Sequence, residues 1–117
     1  IRLNPEFVEA HYNIGIAYGE AGLFDESIDS LTTAIDMNRR DDEAYVSRGI
    51  SFAQSGKRDR ALEDFDRVIA LNPNSALAYL NRGALHRLAG DGELARADFK
   101  TACALGNAKA CQAGADR

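Results

Sequence analysis

A chain of 117 residues, 45% hydrophobic and 27% charged, is long enough for one domain with a modest core and too apolar to stay unfolded. Its formal net charge of −4 argues against nucleic acid or an anionic membrane as the main partner. No apolar run approaches the roughly 20 residues that a membrane span needs, which excludes membrane insertion by a helix.

The first residues, Ile1-Arg2-Leu3-Asn4-Pro5, copy Ile69-Ala70-Leu71-Asn72-Pro73. Residues 1–7 therefore read as the tail of a preceding repeat, and the chain as a fragment of a longer protein. Targeting signals, or the lack of them, then say nothing about location.

From there a step of 34 residues carries Gly15 onto Gly49 and Gly83, and Gly22 onto Gly56 and Gly90. Leu31, Phe65 and Phe99 follow the same step, as do Ala34, Val68 and Ala102. Three windows, 8–41, 42–75 and 76–109, thus carry one pattern, the mark of a solenoid built from one supersecondary unit.

The central window shows what the unit is. Ala44, Tyr45, Gly49, Phe52 and Ala53 recur at three-to-four spacing between Glu43 and Ala53, as along one face of a helix. Gly56 ends that helix and Asp59 opens a second, striped by Leu62, Phe65, Val68, Ile69 and Leu71. Asn72-Pro73 ends it and Ser75 can cap the next. Each unit is two antiparallel helices joined by a short turn. Glycine inside the first helix costs roughly 1 kcal/mol against alanine, so something must need the missing side chain. The facing residue is expected to be the small one 12 positions on, Ser27, Ala61 or Ala95.

The unit resembles a tetratricopeptide repeat: Tyr45, Gly49, Phe52, Gly56, Ala61, Phe65, Val68 and Pro73 stand in that family's order. Repeat 3 repeats it with Tyr79, Gly83, Gly90, Ala95, Phe99 and Ala102. His11, Ser27, Arg39 and His86 depart from the pattern. The resemblance implies an all-α, right-handed superhelical solenoid of helix-turn-helix repeats.

Two positions depart together. Ile14 and Ser30 of repeat 1 become Arg48 and Asp64 in repeat 2, then Arg82 and Asp98 in repeat 3. The arginine occurs where the aspartate does, and a bidentate bond within the hairpin or to a neighbouring repeat is the natural pairing. Two independent exposed charges are the alternative.

After Leu105, Gly106 and Asn107 form a helix stop followed by a cap, and residues 108–117 read as a partial capping helix over the edge of repeat 3. Cys103 and Cys111 lie four residues either side of Asn107. This stretch is similar to the cysteine-rich branch of the sel-one-like repeats, and that resemblance implies a disulfide and an oxidising compartment. Two small buried thiols in a cytoplasmic protein are the other reading, so location remains open between cytoplasmic and secreted or periplasmic.

Little in the chain carries chemistry. His11 and His86 lie in different repeats, away from zinc-ligand spacing with the cysteines. Asp41-Asp42-Glu43 and Asp91-Gly92-Glu93 suit helix starts rather than a calcium loop. There is no nucleophile elbow and no phosphate loop. The chain reads as non-catalytic, with no cofactor.

What remains is a second stripe on the first helix of each unit. Its columns are Tyr12, Val46, Leu80 and Ile16, Ile50, Ala84, expected on the inner wall of the superhelix with Leu77 beside them. Packing between neighbouring first helices would also account for some of them. The family resemblance implies that this wall binds segments of other proteins. A carboxylate clamp would use Tyr12, Ile16, Ser47, Leu77 and Asn81, where the cations it requires are missing. An asparagine ladder on a peptide backbone would use Asn13 and Asn81 with Ser47 between them. The expected function is a scaffold holding a partner segment in this groove. A spacer or self-assembly unit, stacking repeat edges on another copy, is the alternative.

Overall fold

The computed structural model describes residues 5–116, with side chains described for residues 7–113. Among the described residues there are seven helices and no strand. They are α1 (Pro5–Glu20), α2 (Phe24–Met37), α3 (Asp42–Gln54), α4 (Arg58–Leu71), α5 (Ala76–Leu88), α6 (Gly92–Ala104) and α7 (Ala108–Asp116). The fold is all-α, as the periodicity requires. Of the segment expected to be the tail of a preceding repeat, Ile1 to Asn4 lie outside the described residues, and Pro5 to Phe7 form the first turn of α1.

The repeat is written into the backbone. Helices α1, α3 and α5 end at Glu20, Gln54 and Leu88, and α2, α4 and α6 begin at Phe24, Arg58 and Gly92. Between them stand Gly22, Gly56 and Gly90 at φ of 80°, 85° and 85°, a left-handed conformation that a Cβ penalises. Each lets the chain fold back so that the next amide bonds a carbonyl five residues earlier: Leu23 N–H to Tyr18 O at 2.9 Å, Lys57 to Phe52 at 2.8 Å, Asp91 to His86 at 2.9 Å. Side-chain caps start α3 and α5, the first helices of the next two hairpins. Asp41 accepts from the Ala44 amide and Ser75 from the Ala78 amide, each at 3.3 Å.

The period breaks at the C-terminal end. Gly106, at φ 102°, closes α6 with the same turn that closes the first helix of each hairpin, Asn107 N–H bonding Ala102 O at 3.0 Å. Asn107 then caps α7 through the Ala110 amide at 2.9 Å, so α7 starts two residues before the step from Ala76 would place it. The helix continues to Asp116.

The chain gathers into two compact units, the first ending at Asp64 and the second beginning at Phe65, inside α4. In the first unit α2 packs on both α1 and α3 around buried Leu31, Ala34, Ile35, Ala44 and Phe52. Gly15 sits beneath Leu31: a Cβ there would lie 2.6 Å from Leu31 Cγ and 3.3 Å from the Ser27 carbonyl. In the second unit α6 lies between α5 and α7, with Phe99, Ala102 and Ala110 buried together and Tyr79, Leu80 and Cys103 packed against them. A Cβ on Gly83 would meet Phe99 Cε1 at 2.9 Å. Gly15 and Gly83 therefore make room first for the large residue 16 positions on, while the small residue 12 positions on, Ser27, also faces Gly15 and donates its hydroxyl to the Gly15 carbonyl. The ring or leucine needs the space because it lies across the helix crossing itself.

Periodicity also places Ile14 and Tyr18 in the core, and the structure does not. Ile14 is 46% exposed and Tyr18 lies at the surface, whereas their equivalents Arg48 and Phe52 are covered. The reason is position: α2 packs against α3, but no described helix precedes α1 to cover the same face.

Candidate functional site

Two arginines tie the hairpins together. Arg48 on α3 grips Asp64 on α4 with two parallel bonds, Nε to Oδ2 at 2.9 Å and Nη2 to Oδ1 at 2.7 Å. Its remaining nitrogen, Nη1, donates to Thr32 Oγ1 on α2 at 3.1 Å. In the second unit Arg82 repeats the grip on Asp98, both bonds at 2.8 Å, and Nη1 reaches Asp66 Oδ1 at 2.9 Å. Each guanidinium thus spans two successive second helices. Hydrogen bonding to Asp64 raises the Arg48 pKa while burial opposes it, and Asp98 does the same for Arg82 with Asp66 adding to it. Both arginines are fixed cations already occupied by carboxylates, so they are structural and offer no charge to a ligand.

The expected wall residues fall into three groups. Val46, at 8% exposure, is buried rather than solvent-facing. Tyr12 and Leu80 of the same column are half-buried, Leu80 against the Phe99 cluster. Asn13, Leu77 and Ala84 are exposed. Asn81 is half-buried and donates its amide to Leu77 O, one turn back on its own helix, at 2.8 Å.

Ile16, Ser47 and Ile50 belong to the third group and share a feature that the sequence reading missed. They line an open cavity of about 210 Å³ between α1, α2 and α3. Its floor is Gly15, Leu31, Ser27 and Ser51, and Gly19, Glu20 and Gln54 complete the lining. Ser27 Oγ donates to Gly15 O at 2.7 Å and lies 2.9 Å from Ser51 Oγ. Three substitutions open this space. Gly19, Ser27 and Ser51 stand where the next repeat has Ala53, Ala61 and Leu85, and a Cβ on Gly19 would point within 3.3 Å of the Ser27 hydroxyl. All three small residues fall in one interface, and their joint departure from the next repeat is the signal that the sequence holds.

Cys103 and Cys111 are joined across the turn before α7, with Cα atoms 4.6 Å apart. No group of His, Cys, Asp or Glu among the described residues could hold a metal ion; His86 lies instead 3.7 Å from Asp98. No described helix is long and apolar enough to cross a membrane.

These features fit a protein built from helical repeats. A family model described as tetratricopeptide repeat matches residues 12–57 and again 46–110. The chain belongs to the tetratricopeptide repeat family. Among solved structures, the crystal structure of MamA is 29% identical with a TM-score of 0.81, over 88% of this chain and 60% of that one. The present chain thus spans about three fifths of the MamA chain. The first TPR of Spaghetti (RPAP3), bound to HSP90 peptide SRMEEVD, is 24% identical with a TM-score of 0.89, over 99% of this chain and 94% of that one. The Arabidopsis OM64 TPR domain is also 24% identical, with a TM-score of 0.88 over 92% and 91% of the two chains. These last two show the tetratricopeptide fold. No curated protein matches the chain.

Proposed function

We infer that this tetratricopeptide repeat chain is a non-catalytic protein-interaction module whose first-helix wall takes a short segment of a partner protein. The observation that carries the reading is the open cavity beside Ile16, Ser47 and Ile50, apolar on its walls and left unfilled by the chain's own side chains. In the second unit the exposed Leu77 and Ala84 and the half-buried Asn81 offer a wall of the same composition. That a fold neighbour is described as bound to a peptide supports the class of ligand. It does not carry over the ligand, because the acidic peptide SRMEEVD needs cations that Tyr12, Ile16, Ser47 and Leu77 do not supply.

Selection from a random-sequence peptide library displayed on phage tests the reading. Peptides should be enriched on the native chain and lost on Ile16→Glu and Ile50→Glu, with helicity unchanged in both variants. Enriched peptides that bind both variants as well as the native chain would place the binding surface elsewhere.

A second reading is favoured by a separate observation. Phe7, Ile14 and Tyr18 form an exposed apolar row on α1, with Phe7 60% exposed. Stacking of this edge on another copy of the chain would make it an assembly unit. Sedimentation over a concentration range separates the two, since a peptide receptor stays monomeric.

A further inference from the structure

We propose that the cavity between α1, α2 and α3 is a subsite for a lysine side chain carried by the bound partner segment. The inference rests on the reading of this wall as a peptide surface and specifies what the wall selects.

Proton accounting in the cavity floor sets the chemistry. A serine hydroxyl has one proton and two lone pairs. The Ser27 proton is committed to Gly15 O, an acceptor only, at 2.7 Å. The 2.9 Å contact between Ser27 and Ser51 therefore takes its proton from Ser51. With both protons turned inward, the two oxygens can only accept from anything that enters. Ser51 is 3% exposed, so this acceptor is desolvated and a donor reaching it replaces little water. Ile16, Ile50 and Leu31 line the cavity with apolar surface, suited to a methylene stem. Glu20, exposed and without an ion-pair partner among the described residues, is the charged side chain in the lining. A four-carbon stem ending in three donors and a positive charge meets every part of this lining; a carboxylate would meet lone pairs and Glu20. A neutral apolar chain would leave the free lone pairs of Ser51 unused.

The test uses the full 117-residue chain and the phage-displayed random library, followed by synthetic copies of the enriched peptides. Enriched peptides should share one lysine. Replacing it by norleucine or acetyl-lysine should weaken binding by at least about tenfold, the size of a charge-assisted hydrogen bond. Ser51→Ala, which leaves the Ser27 bond to Gly15 in place, and Glu20→Gln should each remove most of that lysine preference while retaining residual binding. Gly19→Leu, which fills the cavity, should abolish the preference outright. Peptides that depend on Ile16 and Ile50 but carry no common lysine, or that bind Ser51→Ala and Glu20→Gln unchanged, overturn this proposal and leave the interaction reading standing. Failure to enrich any peptide sensitive to Ile16→Glu overturns both.

Discussion

Arg82 holds Asp98 by two parallel N–H···O bonds of 2.8 Å and spends its third nitrogen on Asp66, one hairpin back. Arg48 makes the same grip on Asp64 but finds a threonine hydroxyl, Thr32, in the place of the second carboxylate. One device is thus built at two strengths. Because Asp64 and Asp98 are buried, either left alone would be a desolvated charge without a partner.

A double-mutant cycle on Arg48 and Asp64 should give an interaction of roughly 0.5–3 kcal/mol, the range for side chains in direct contact. Thr32→Asp copies the second unit into the first and should stabilise by roughly 0.2–1 kcal/mol, in a salt-sensitive way because the position is half-exposed. Chemical denaturation checks both. Strict additivity in the cycle would mean that the pair is ornamental.

The pairing was legible because two positions changed together within one chain: isoleucine with serine, arginine with aspartate. The helices were legible for a similar reason, since Gly22, Gly56 and Gly90 mark turns that need a left-handed residue. What sequence could not supply was the side that each helix turns to its neighbours. Periodicity treats Ile14 and Arg48 as equivalents, but covering a face requires a preceding helix, which α3 has in α2 and α1 lacks among the described residues. The cavity is not legible position by position, because an absence of volume is the joint product of Gly19, Ser27 and Ser51 on three different helices. Each substitution alone reads as a neutral small residue.

Gly15 tests the helix crossing. A methyl group at this position would lie 2.6 Å from Leu31 Cγ and 2.8 Å from Cδ2. Gly15→Ala should therefore destabilise by roughly 1–3 kcal/mol through overpacking, despite a helix-propensity gain of about 1 kcal/mol. Adding Leu31→Ala removes the obstructing atoms, so the double variant should lose less than the sum of the single losses. Thermal melting of the four proteins measures this coupling. A stabilising Gly15→Ala would show that the helices do not approach so closely.

The Cys103–Cys111 bridge closes a short loop and fastens α7 over Phe99 and Ala102. Loop-closure entropy for such a loop corresponds to roughly 2–3 kcal/mol. Cys111 is exposed, so mild reductant has access to the bond. Reduction, or Cys103→Ser with Cys111→Ser, should lower the melting temperature and speed hydrogen exchange along α7 before any other helix. Equal exchange in α7 with and without reductant would mean that Ala110 and the Arg87 bond to the Ala113 carbonyl, at 3.1 Å, hold the helix unaided.

The exposed row on α1 gives the decisive comparison between a peptide receptor and an assembling unit. Ile14 occupies the position of Arg48 and Arg82, and Ser30 that of Asp64 and Asp98, so the first hairpin lacks the ion pair and presents an apolar edge instead. Replacing both, Ile14→Arg with Ser30→Asp, should install the missing bidentate bond between α1 and α2 and remove apolar surface from the edge. The variant should keep its helicity and melt within about 1 kcal/mol of the native chain, since a pair this exposed contributes little net stability. Sedimentation then reads the outcome. If the native chain self-associates as its concentration rises and the variant does not, the edge is an assembly surface. A native chain that stays monomeric throughout removes the stacking reading and leaves the wall beside Ile16 and Ile50 as the surface that matters.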